Sequence, residues 1–68
     1  MIITEEKKKK YISWVYEEMQ HRGLTDKEIA RIIAKTGFMQ VMNEYPEEQL
    51  HYDPKDAVNE ILLTAARV

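Results

Sequence analysis

Apolar residues return along this chain at intervals of three and four, and the rhythm is broken at Gly23, Gly37, Pro46 and Pro54. Intervals of three and four mark the buried face of a helix. Tyr11, Ile12, Val15, Tyr16 and Met19 share one face, in an arc about 140° wide at 100° per residue. Thr4 is placed to cap this helix, with Glu5 and Glu6 in the first turn, where the helix dipole favours acid. Glu5–Lys9 and Glu6–Lys10 are i,i+4 pairs in the favourable order. Gly23 is expected to end the helix in the left-handed conformation, with Arg22 complementing the dipole.

The stretch from Gly23 to Phe38 carries the densest punctuation. Thr25 and Glu28 have capping-box spacing, and Leu24 and Ile29 have the spacing of a hydrophobic staple. Ile29, Ile32, Ile33 and Thr36 form the stripe, Ala30 and Ala34 lie beside it, and Gly37 is the stop. Phe38, Val41, Met42 and Tyr45 repeat the pattern in a shorter helix. Pro46 closes it, because the residue before proline disfavours helical geometry. Pro46–Leu50 has proline where a single further turn would start, and Leu50 or Tyr52 is expected to anchor the connection. Asp53 then reads as an N-cap, Pro54 as the first helical residue and Asp56 as the N3 acid. Ala57, Val58, Ile61, Leu62 and Ala65 form the last stripe, and Leu63 and Ala66 widen it.

The pattern predicts an all-α, compact four-helix domain spanning 1–68, orthogonal or bundle-like, with helices at about 4–22, 26–36, 38–44 and 54–67. The expected core is Ile12, Val15, Tyr16, Met19, Leu24, Ile29, Ile32, Ile33, Phe38, Val41, Met42, Leu50, Val58, Ile61 and Leu62.

Composition changes this picture in three ways. First, 68 residues make one domain, and a chain of that size buries only about 60% of its unfolded surface. Such small helical domains often gain stability by oligomerising. Second, there is no cysteine, so neither a disulfide nor a thiolate metal site is available. Ile61-Leu62-Leu63 is far shorter than the roughly 20 apolar residues of a membrane span. Met1-Ile2-Ile3 runs into Thr4-Glu5-Glu6 and four lysines, without the apolar core of a leader. A cytoplasmic location is expected, with no membrane partner. Third, the net charge is −2 and the pI about 5.6, unevenly spread. Residues 1–36 carry +2 and residues 37–68 carry −4, so the halves can attract each other within one chain or between two. The acidic total argues against nucleic acid as the main partner, since phosphate binding needs a basic surface.

Candidate chemistry is sparse. The one serine, Ser13, sits inside a helix, and Thr4 and Thr25 are explained as caps. Both glycines are helix stops, so there is no phosphate-cradling loop. Glu17-Glu18 and Glu47-Glu48 are sequence neighbours that do not share a helix face. His51 with Glu47, Asp53 and Asp56 has metal-ligand residue types, but zinc needs three or four converging ligands, and capping already explains both aspartates. No enzyme activity, cofactor or metal is expected. The run Lys7–Lys10 reads as a solvated first turn balanced by Glu5 and Glu6.

What remains is a set of candidate contacts with a protein partner, in the first place a second copy of the chain. Trp14 falls outside the first stripe, beside Lys7, Glu18 and His21. It is either an exposed contact or packed under a terminus or a neighbouring helix. His21 complements the helix dipole on the same side and joins it as a candidate. Lys27, Arg31 and Lys35 form a basic stripe opposite the apolar face of the second helix. Leu63 widens the apolar arc of the last.

Glu28-Ile29-Ala30-Arg31 resembles the first helix of helix-turn-helix DNA-binding proteins, in which a small Ala packs beneath the recognition helix. That resemblance implies a DNA-binding regulator. The chain departs from the pattern at Ala34, where the family has Gly, and at Gln40, where it has Val or Ile. The helix that would read DNA, Phe38 to Tyr45, contains no Lys or Arg to meet a base edge or phosphate. Residues 11–62 also resemble a family of small uncharacterised bacterial helical proteins. The shared features are an amphipathic first helix, the Leu24-Thr25 cap, the Lys35-Thr36-Gly37 stop and the segment from Tyr45 to Leu50-His51. This second resemblance implies an accessory or regulatory protein without catalytic residues.

Overall fold

A computed structural model describes residues 4–67; Met1, Ile2 and Ile3, read above against a leader, lie outside the described residues, as does Val68. The described chain is all-α: α1 (Glu5–His21), α2 (Asp26–Thr36), α3 (Phe38–Glu44), α4 (Pro46–Leu50) and α5 (Pro54–Arg67). The four expected helices are present. A fifth stands where the sequence suggested one turn, because Pro46 occupies the first helical position and lacks only a donor that would be unsatisfied there. The radius of gyration is 11.4 Å.

Each boundary has a local cause. The Thr4 hydroxyl accepts from the Lys7 backbone N–H at the start of α1. At its end, Gly23 N–H donates to the Gln20 carbonyl (2.9 Å) and Leu24 N–H to that of Met19 (3.2 Å). With Gly23 at φ +89°, this is the Schellman pattern, which satisfies carbonyls the helix leaves open. At α2 both halves of the capping box form: Thr25 N–H to Glu28 Oε1 at 3.0 Å, and Glu28 N–H to the Thr25 hydroxyl at 3.2 Å. Gly37, at φ +68°, ends α2 and starts α3. One residue thus turns the chain, in a conformation that costs any side-chain-bearing residue about 1–2 kcal/mol. Asp53 opens α5, its Oδ1 accepting from Lys55 N–H and its carbonyl from Ala57 N–H, both at 2.9 Å.

The principal packing is of α1 and α2 against α5, with α3 and α4 closing one end. Tyr11, Val15 and Met19 of α1, Ile29 of α2, Phe38 and Met42 of α3, and Ala57, Val58 and Ile61 of α5 make the buried cluster. Ile12, Tyr16, Leu24, Ile32, Ile33, Leu50 and Leu62 are half-buried against it. Val41 departs from the expected core: it is 37% exposed. Phe38 and Met42 fill the contact that so short a helix can make, and Val41 is left at its rim. Tyr11 and Ala57 are buried instead, beyond the expected set.

Two polar tethers fix the helices. The Tyr11 hydroxyl donates to the Tyr52 carbonyl at 2.9 Å and accepts from Gln49 Nε2 at 3.4 Å, holding α1 to the α4–α5 connection. Arg22 Nε donates to Glu18 Oε2 (3.0 Å), Nη1 to Asn59 Oδ1 (2.7 Å) and Nη2 to the Lys55 carbonyl (3.3 Å). The residue expected to complement a dipole therefore also clamps the end of α1 to the first turns of α5.

Candidate interaction surface

The basic stripe follows from the register of α2. Ile29 is buried and Ile32 and Ile33 half-buried, so the opposite face turns outward. Lys27, Arg31 and Lys35 are all exposed, about 6 Å apart along the axis at 1.5 Å per residue. Among the described residues none of the three makes an ion pair; the ion pairs found there are Lys8–Glu5 and Arg22–Glu18. Glu28 is occupied with the cap. Its carboxyl is held below the usual carboxylate range, chiefly by the Thr25 backbone N–H, then by the Thr25 hydroxyl, with a lesser contribution from Arg31.

Trp14 is 49% exposed and Leu63 is 51% exposed. Among the described residues, no neighbouring helix encloses Trp14. His21 is exposed in the last turn of α1. The sequence-derived candidates thus occupy the outward sides of three helices, and among the described residues no hydrogen bond joins them. Among the same residues, His51, Glu47, Asp53 and Asp56 do not converge into a three-ligand cluster. No described helix is long and apolar enough to cross a membrane.

One further feature was not anticipated. A shallow depression of about 140 Å³ opens where the end of α2, α3, α4 and α5 meet. Thr36, Phe38, Val41, Gln49, Ala57, Glu60, Ile61 and Thr64 line it. A second depression, of about 390 Å³, shares Gln49, Ala57 and Glu60 and adds Tyr52. Sharing three lining residues, the two run together as one groove, with Val41 in the first part and Tyr52, 54% exposed, in the second. The usable sequence signal was Tyr45 and Tyr52 lying beside the two prolines, where little chain is available to cover an aromatic ring. From α3 onward the exposed acids Glu44, Glu47, Glu48, Asp53, Asp56 and Glu60 outnumber the exposed bases Lys55 and Arg67.

Such a surface can bind; it presents exposed apolar side chains, a groove with a small floor, and separate regions of opposite charge. Compared with known protein families, curated proteins and solved structures, the chain shows no significant match to any of them.

Proposed function

We propose that this protein is a non-enzymatic interaction or regulatory accessory module whose partner is protein, in the first place another copy of itself. The observation that carries the reading is the exposure of Trp14, Tyr45 and Tyr52, each about half accessible, at 49–56%. Met39, Val41 and Leu63 add apolar area at 37–51% exposure. Aromatic and Met side chains are enriched at the cores of interfaces, and a domain of this size has few such residues to spare from its own core. Sedimentation velocity from low to high micromolar concentration tests the reading. A rising sedimentation coefficient is expected, and a strict monomer throughout would remove self-association.

The helix-turn-helix reading retains one favourable observation, the exposed Lys27–Arg31–Lys35 row close to the tight α2–Gly37–α3 junction. Against it, the outward positions of α3 are Met39, Gln40, Val41, Asn43 and Glu44, which offer no cation to a phosphate. Duplex binding at about 50 mM salt that weakens with salt and on Arg31→Ala would support this alternative. Absence of binding there would end it.

A further inference from the structure

We infer that the outward face of α2 docks into the α3–α4–α5 groove of a second copy, with Lys27, Arg31 and Lys35 set against its acidic rim. The inference rests on the self-association proposed above and names the two surfaces that meet. Both are present once per chain, and each offers the charge the other lacks. The three cations make no ion pair among the described residues. Glu60, which lines both parts of the groove, likewise makes no hydrogen bond or ion pair there. Asp56, one turn before it on α5, is exposed as well, and Glu47 and Glu48 are exposed on α4, the helix that gives Gln49 to the groove.

Shape agrees with charge. Ala30 and Ala34 are exposed on one flank of the cations, so on that side the long basic side chains are free to reach across to a neighbour. The groove is shallow, with buried Phe38, Ala57 and Ile61 and exposed Val41 and Tyr52 among its lining, which suits a helix laid along it better than a deeply inserted side chain. Thr36, in the last turn of α2, also lines the groove. Thr36 is on the inward face of α2, so the helix borders the groove with one face and presents the cations on the other; a two-fold pair in which each chain offers α2 and receives the other's would bury both surfaces twice.

Two charge reversals at exposed positions test this: Arg31→Glu on the α2 face and Glu60→Arg on the groove. Each single variant is expected to associate at least about tenfold more weakly than the wild type in sedimentation equilibrium, because like charges then face each other. An equimolar mixture of the two is expected to regain association, since the carboxylate introduced on α2 of one chain then meets the guanidinium introduced in the groove of the other. Wild-type association should also weaken between about 50 and 500 mM salt, as exposed ion pairs are screened. Circular dichroism of each variant confirms that it is folded. If the wild type associates but neither reversal weakens it, or the mixture does not recover, the assigned surfaces are wrong and self-association stands. If the wild type is a monomer at high micromolar concentration, both fall.

Discussion

Replacing Tyr11 with Phe isolates the tether between α1 and the α4–α5 connection. Tyr11 is 4% exposed, and its ring packs in the buried cluster beside Val15. The substitution keeps the ring, so it opens no cavity and removes only the hydroxyl. That hydroxyl makes one good hydrogen bond, 2.9 Å to the Tyr52 carbonyl, and a weaker one at 3.4 Å from Gln49. A net hydrogen bond is worth about 1 kcal/mol, and a carbonyl left short of a partner adds a desolvation cost. Because the site is only part-buried, that addition is small, and the expected loss is about 1–2 kcal/mol. For a domain of this size each kcal/mol lowers Tm by roughly 4–8 °C. Thermal melts by far-UV circular dichroism should therefore place Tyr11→Phe about 5–15 °C below the wild type. Both proteins must be measured at one concentration, since association raises Tm. Tyr45→Phe and Tyr52→Phe are the controls. Their side chains are more than half exposed, and each is expected to stay within about 0.5 kcal/mol of wild type. If Tyr11→Phe melts with the wild type, the tether contributes nothing and the placement of the α4–α5 connection rests on packing alone.

Other outcomes are equally specific. Met19→Ala, at a fully buried position, should cost about 2–5 kcal/mol through lost transfer energy and a residual cavity, read by chemical denaturation. Val41→Ser, at the groove rim, should cost no more than about 1 kcal/mol, the opposite of what a core position would give. Gly37→Ala meets no neighbouring atom but forces a side chain into the left-handed region, for a loss of about 1–2 kcal/mol. The Glu28 carboxyl has a lowered pKa in the folded chain, so its contribution is present above the unfolded value of about 4.3 and lost as pH falls through the folded value. The Tm difference between wild type and Glu28→Gln should accordingly shrink on acidification. The Tyr11 phenol is pushed upward, first by burial and then by Asp53 and Asp56, against the Gln49 hydrogen bond. Its contribution is complete below the ordinary tyrosine value of about 10 and is lost as pH rises through the folded one, which Tyr11→Phe should abolish in an alkaline melt series.

How far the fold could be read ahead depended on whether its determinants were local. The ends of α2 and α3 were legible to the residue because capping box, left-handed glycine and proline all act within a few positions of the chain. Helical phase puts Tyr11 on the inward face, but its full burial depends on a hydroxyl that meets a carbonyl 41 residues away, which no local pattern announces. Val41 shows the converse. Its spacing is that of a core residue, but burial is decided by what stands opposite, and small Ala57 lies on the floor of that groove. Of the candidate surface, the cations and Trp14 followed from helical phase. The groove did not, since it exists only where four helices meet. The sequence position of Arg22 announces its dipole role but not its clamp, because Asn59 and Lys55 come close to it only through folding.

The placement of α5 carries a consequence for synthesis. A nascent chain that has delivered only α1 to α4 lacks Ala57, Val58 and Ile61, the residues on which α1 and α2 both close. It also lacks the far end of the Arg22 clamp. The emerging helices can touch one another, but their apolar stripes lack the surface that covers most of them, so full packing waits until α5 has cleared the ribosome. During that interval the unprotected stripes are what a chaperone would hold, and a stop codon before residue 57 would leave a chain for proteases rather than a smaller working domain.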